Sequence, residues 1–234
     1  MITDPEQIAN ALHELARLDA AELGLEVVLE QILHAAATSC RSTGGAGLLL
    51  LDADGQLRPM LAVGRPRRAL EGTQVRQGQG PSIDAFLGDQ PVTSGDLGIE
   101  ARWPDFRRPA LAVGVRAWLS VPVRQRRGAI GVLDFACTHP RSWQAQDLAA
   151  SQAFARLLMA TLEQAKTRQR VELPALLQFA LEHDAKIERA CAVIMNRDQV
   201  NERAAFGLLR QRAFIEDRPI RAVAEHILAH LPNE

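Results

Sequence analysis

The sequence predicts an α+β chain: a domain with a central antiparallel sheet and flanking helices, then a long linking helix, then a C-terminal bundle of three helices. Three observations carry this prediction. Short apolar runs come in pairs joined by turn-like segments, DADG at 52–55 and QRRG at 125–128, as hairpins require. A helical period runs from Trp143 through Leu148, Phe154, Leu158, Leu162 and Ala165 without glycine or proline. Three further apolar stripes follow at helical spacing, with short breaks between them, and this is the pattern of a small bundle.

The elements follow in order. Thr3, Asp4 and Pro5 form a helix start, and Ile8, Leu12 and Leu15 repeat at helical spacing after it. Leu25, Val28, Leu29 and Ile32 predict a second helix ending near Ala37. Leu48–Leu51 and Leu57–Val63 are the arms of a hairpin. Residues 65–80 are polar and glycine-rich and read as loop. Pro81–Phe86 supplies one or two helical turns, Pro91–Thr93 a short strand, and 101–112 a short helix. Next comes RAWLSVPV, which alternates Trp118, Ser120 and Pro122 against Leu119, Val121 and Val123. Ala129–Cys137 is its partner strand. Ser142 stands where an N-cap belongs, and the helix after it is longer than one domain face needs. A helix of that length serves as a connector or pairs with a second subunit. In the tail, Ile187, Ala190, Cys191 and Ile194 form one stripe. Ala205, Phe206, Leu208, Leu209 and Ala213 form the next, and Ile220, Val223, Ala224, Ile227 and Leu228 the third. Asn201 is a cap for the second tail helix, and Pro219 fits the first turn of the third. The domain boundaries expected are 1–165, a helical linker at 166–182, and the bundle at 183–230.

Composition narrows the function classes. The chain has 234 residues, 47% hydrophobic and 24% charged, with a formal net charge of −1. That balance argues against wholesale attraction to nucleic acid or membrane, but a local basic face survives a neutral average. MITDPEQIAN lacks the basic and apolar regions of a signal peptide, and no apolar run approaches the ~20 residues that span a bilayer. A cytoplasmic protein is expected. Cys40, Cys137 and Cys191 are scattered without metal-ligand spacing and read as small buried hydrophobes. His226 and His230 share a helix face, yet two ligands do not make a zinc site. GQGPS at 78–82 lacks the lysine of a phosphate loop and reads as a turn with a helix start. No catalytic residues, metal ligands or cofactor are assigned, and an enzyme is not expected.

Two sets of residues remain. Trp103, Phe106, Trp118 and Phe135, together with Arg116, either line a pocket for a small effector or fill the core. Arg124, Arg126 and Arg127 flank a hairpin turn and read as a solvated tip. In the tail, Arg203 and Arg210 are seven apart and share a helix face, and Arg189, Arg212, Arg218 and Arg221 add to the set. Residues 183–221 hold eight Lys/Arg against six Asp/Glu, a small excess for a nucleic-acid footprint. A core, a dimer face and an RNA surface all fit this composition.

Two stretches carry a resemblance. Gly78, Gly80, Pro81, Asp84 and Ala85, then Asp96, Leu97, Arg102, Trp103, Pro104 and Phe106, then Gly114, Val115, Arg116, Val121, Pro122, Gly131 and Leu133 occur in order. This run resembles the GAF domains of actinobacterial GAF–ANTAR proteins. IERACAVIMNRDQVNERAAFGLLRQRAFIEDRPIRAVAEHIL resembles the ANTAR domain, a three-helix RNA-binding module of transcription antiterminators. The resemblance implies a GAF-like sensor of a small-molecule effector and an ANTAR-like tail that binds tandem hairpins of nascent mRNA through Arg189, Arg203, Arg210, Arg212 and Arg218. It further implies a homodimer joined through the long helix after Ser142. Ser82 replaces a common cysteine, Cys191 a lysine, Ala192 a glycine, and Asp217 a frequent asparagine. Cys191 removes a positive charge from the tail and Asp217 adds a negative one. The alternative is a dimeric sensor or scaffold whose degenerate tail binds protein, including its own GAF module, in place of RNA.

Overall fold

The protein is described by a computed structural model over residues 5–52, 55–64, 67–167 and 185–230. Helix α1 (Pro5–Ala16) starts at the proline marked by the sequence; Thr3 and Asp4 lie outside the described residues. Helix α2 (Ala20–Leu23) is one turn capped by Asp19, whose side chain accepts from the Ala21 N–H. Helix α3 (Leu25–Ser39) buries Val28, Leu29, Ile32 and Leu33.

Five strands follow: β1 (Gly45–Leu51), β2 (Leu57–Val63), β3 (Val92–Ser94), β4 (Ala117–Gln125) and β5 (Gly128–Cys137). They form one sheet in the order β2-β1-β5-β4-β3, and each neighbouring pair is antiparallel. Helices α1, α2, α3 and α7 (Ala145–Thr167) form a layer on one face. Helices α4 (Arg67–Gln77), α5 (Pro81–Gly88) and α6 (Pro104–Ala112) cover the other. Every residue of β1 and β5 is buried. Strands covered on both faces need no polar alternation, and this accounts for the unbroken LLLL at 48–51.

Two expectations are corrected here. Residues 65–80 are not a loop, since they contain α4. Its buried side carries Leu70, Glu71 and Gln74, and a half-polar buried stripe leaves no apolar period to read. Ser142 is not the cap of α7, which starts at Ala145. Asp147, inside the first turn, accepts from the Gln144 N–H at 2.9 Å and from Arg141 Nη2 at 2.7 Å. The cap therefore comes from within the helix, as in half of a capping box.

The tail is three helices: α8 (Ala185–Asp198), α9 (Glu202–Ile215) and α10 (Ile220–Ala229). Asn201 caps α9, its side chain accepting from the Ala204 N–H at 2.9 Å. Pro219 stands one position before α10, and so flanks the first turn without entering it. Leu208 faces solvent, so the second stripe is narrower than its spacing suggested. Most of the expected linker at 166–182 lies outside the described residues. The bundle is not free of the sheet domain: Ala205, Phe206, Leu209 and Ile220 belong to the same continuous apolar cluster as β1, β4 and β5.

Candidate functional site

Two polar assemblies stand out. The first lies inside the sheet domain. Register decides its membership, because Ser120 pairs with Asp134 across β4 and β5, and Gly47 pairs with Asp134 across β1 and β5. All three sit on the face covered by α4–α6. Asp134 Oδ2 accepts from Ser82 Oγ at 2.6 Å, and Oδ1 accepts from Ser120 Oγ at 2.6 Å and Trp118 Nε1 at 3.4 Å. Gln74 accepts from the Ser82 N–H at 2.9 Å, while its own side-chain nitrogen is buried without a hydrogen-bond partner. Glu71 lies over β1, where a Cβ on Gly47 would fall 1.6 Å from Glu71 Oε1. Only glycine admits that carboxylate. Glu71, Gln74, Ser82, Ser120 and Asp134 are all inaccessible to solvent.

This assembly adjoins part of the expected pocket. Trp103, Phe106 and Trp118 are buried together, with Phe106 and Trp118 edge to face at 5.2 Å. Trp103 Nε1 donates to Asp84 at 2.9 Å. Phe135 is not brought there: it packs in the larger cluster, and its odd-numbered register places it on the opposite sheet face. Arg116 is not brought there either, for its guanidinium pairs with Asp96 at 3.0 Å near the surface. The Gly98 N–H and Arg116 hydrogen-bond the Asp96 carboxylate and hold its pKa below the ordinary value.

The second assembly joins the two modules. The β4–β5 hairpin, read from the sequence as a solvated tip, grips the tail. Arg127 is largely buried and binds Glu188 of α8 and Glu202 of α9, the latter at 3.0 Å. Arg126 also pairs with Glu202, at 2.5 Å. Arg124 Nε donates to Asp89 Oδ1 at 2.8 Å, and Arg203 Nε to Asp89 Oδ2 at 2.6 Å. One carboxylate at the end of α5 thus holds a strand arginine and a tail arginine. The tip looked solvated because its partners are distant in sequence, 35 residues away for Arg124 and more than sixty for Arg126 and Arg127.

Arg210 lies at the centre of this contact. It is only 3% exposed. Nη1 donates to the Ala129 carbonyl at 2.7 Å, and Nε has no partner. The guanidinium lies 4.9 Å from the Phe86 ring and 5.3 Å from that of Phe206. Nearby Asp89 is engaged by Arg124 and Arg203. Burial, the dominant cause, pulls the Arg210 pKa down to about 10. A desolvated cation without an ion-pair partner is costly, and two aromatic faces and one carbonyl offset only part of that cost.

The five tail arginines therefore do not share one surface. Arg203 and Arg210 face the sheet domain. Arg212 is two residues past Arg210, about 200° round the helix, and pairs with Glu216 at 2.6 Å. Arg218 joins the same carboxylate at 3.2 Å; the hydrogen bond from Arg212 is the main cause that lowers the Glu216 pKa. Arg189 is exposed on α8. All three cysteines are buried and free. Desolvation raises the Cys40 pKa to about 12 and that of Cys191 to about 11. Cys191 feels Arg127, Glu188 and Glu202, so it stands beside the interdomain cluster. Among the described residues there is no cluster of three metal-ligating side chains, and no helix is long and apolar enough to cross a membrane.

Comparison with solved structures gives the fold of the first module. The chain is similar to the GAF domain of a phosphoenolpyruvate-protein phosphotransferase from Coxiella burnetii, at 16% identity and a TM-score of 0.55, covering 71% of this chain and 96% of that one. The corresponding GAF domain from Acinetobacter gives 14% identity and a TM-score of 0.53, covering 69% and 93%. A free methionine-R-sulfoxide reductase from Neisseria meningitidis, solved with its substrate, gives 17% and 0.53, covering 69% and 89%. Comparison with curated proteins gives no match. Two family models match, one described as GAF domain over residues 28–162 and the other as ANTAR domain over 175–228. An antiparallel sheet between helical layers, followed by a three-helix bundle, is the arrangement those matches require, and the chain belongs to the GAF family in its GAF–ANTAR architecture.

Proposed function

We propose that this protein is a signal-responsive RNA-binding regulator of transcription antitermination. Its ANTAR tail takes tandem hairpins of nascent mRNA through Arg203 and Arg210, on the face of α9 that the GAF domain covers, and through Arg189, Arg212 and Arg218 on other faces of the bundle, and its GAF domain senses an effector. ANTAR domains bind RNA; the observation that carries the regulatory part is the engagement of Arg203 and Arg210 by the GAF domain. RNA and the GAF domain then compete for one face of α9. An effector acts by favouring one arrangement over the other, to the extent of its differential affinity. No catalytic step is part of this reading. A homodimer through α7 presents two tails and gains affinity through effective concentration.

A second reading has its own support. The tail binds its GAF domain instead of RNA, as the same contacts and the buried Cys191 allow. Titration of the full chain with tandem-hairpin leader RNAs at about 50 and about 200 mM salt separates the two. Under the first reading Arg127→Glu frees the tail and tightens RNA binding about ten-fold, while Arg189→Ala weakens it and flattens its salt dependence. Absence of binding at low salt by both wild type and Arg127→Glu establishes the second.

A further inference from the structure

A cleft of about 280 Å³ runs between the two modules. Its GAF wall is formed by α4, α5 and the start of β2, and its tail wall by α9 and the turn into α10. The close fit at one end is fixed by Gly55 (φ +76°), where a Cβ would fall 2.2 Å from Ile220 Cγ2. Apolar side chains, Val75, Ile83 and Phe86 opposite Phe214, take up much of the wall. Three arginines also line it, Arg76, Arg210 and Arg218, against one carboxylate, Asp217.

Arg210 is the informative member. It is almost wholly buried, with an unpartnered Nε and no carboxylate of its own. Arg218 is held by Glu216 at 3.2 Å, and Arg76 donates to Thr73 at 3.0 Å. An oxyanion in the cleft would supply the missing counter-charge in a place already shielded from water. The apolar wall fits the body of an organic molecule better than a bare ion, and small-molecule sites combine such walls with a few fixed polar groups.

We infer that this cleft binds a small organic oxyanion, a carboxylate or phosphate group on an apolar body, with Arg210 and Arg76 receiving the charge from opposite modules. The site is separate from the Ser82–Ser120–Asp134 assembly on the α4–α6 face of the sheet. Because its two walls belong to different modules, it exists only while they are docked. By linkage its ligand holds the closed arrangement. Only the consequence that such a ligand weakens RNA binding rests on the function proposed above.

Calorimetric titration of the full chain, without RNA, tests the inference. The probes are phenylacetate, phenyl phosphate, inorganic phosphate and neutral benzyl alcohol. Saturable binding of an aryl anion is expected, at least ten-fold tighter than inorganic phosphate or benzyl alcohol. Arg76→Gln removes one charge, and Val75→Trp fills the cleft without touching any charge. Each should weaken binding at least ten-fold while the distance between spin labels on the two modules stays unchanged. Non-saturating anions, equal binding of benzyl alcohol, or undiminished binding to Val75→Trp overturns the site. RNA titration with and without the bound anion is a separate measurement, so failure of the RNA-binding reading leaves the site standing.

Discussion

The polar cluster within the GAF domain and the polar cluster between the modules differ in kind. Asp134 sits among neutral donors, two serines and an indole, all shut away from water. The interface adds charged pairs to the apolar contacts of Phe206, Leu209 and Ile220, and several members of those pairs reach solvent: Arg203 and Arg126 are more than half exposed, and Glu202 is one-third exposed. A buried network rigidifies where its partners are satisfied, as they are around Asp134 though not at the Gln74 side-chain nitrogen, because opening it strands polar groups. Exposed ion pairs contribute about 0–1 kcal/mol each and weaken with salt. The first assembly is made to stay closed. The charged part of the second is the weaker of the two, and Arg210, poorly compensated where it is, would regain solvent or a new partner if the modules separated.

The largest expected effect tests the interior. Asp134→Ala strands the Ser82 and Ser120 hydroxyl donors in a dry site, while the Trp118 indole keeps Ser120 Oγ as its acceptor at 3.0 Å, and should lower unfolding free energy by about 2–4 kcal/mol, read by chemical denaturation. Asp134→Asn keeps an acceptor and should cost about 1 kcal/mol. If the two variants match, the network contributes nothing specific.

Next comes the clasp. Arg127→Glu sets like charges against Glu188 and Glu202 and should separate the modules, increasing the label-to-label distance. The double variant Arg127→Glu/Glu202→Arg should restore part of the docking, with a coupling of about 1 kcal/mol. Absence of rescue would show that packing around Phe206, not charge, holds the tail. A smaller effect comes from salt alone. Raising it from about 50 to about 500 mM, well past the distance over which exposed charges feel each other, should lengthen the intermodule distance. The denaturation midpoint of Asp134→Ala relative to wild type should not move with it.

The smallest effect lies outside both assemblies. Arg102 hydrogen-bonds Glu100 and lowers its pKa to about 2. A depressed carboxylate pKa gives stability that is present above the unfolded value, about 4.5, and is lost as pH falls towards 2. Glu100→Gln should therefore lower stability slightly at pH 7, by less than about 1 kcal/mol for so exposed an arginine partner. The difference from wild type should vanish near pH 2 in a pH series of thermal unfolding.

Much of the fold was legible residue by residue. Apolar alternation in RAWLSVPV assigned Trp118 and Ser120 to one face, and the absence of glycine and proline after Trp143 marked α7. The ordered GAF and ANTAR residues named both modules. Helix α4 was hidden because Glu71 and Gln74 occupy its buried side. The sites were less legible. Trp103, Phe106 and Trp118 do come together, but Phe135 faces away because strand pairing, not aromatic character, fixes which side a residue takes. Arg124 and Arg127 looked like a solvated tip because an isolated hairpin has no tail to meet.

Apart from α4 and the single turn of α2, the sequence by itself determined the elements, their order and the family, since these follow from local period, caps and short motifs. Tertiary structure alone decided what the charges do. It put Asp89 between Arg124 and Arg203 across 114 residues of chain and buried Arg210 against Phe86. The reason is physical. Helical period is a property of neighbours along the chain, whereas the worth of a charge depends on the dielectric and partners around it, and those are set only when distant segments meet.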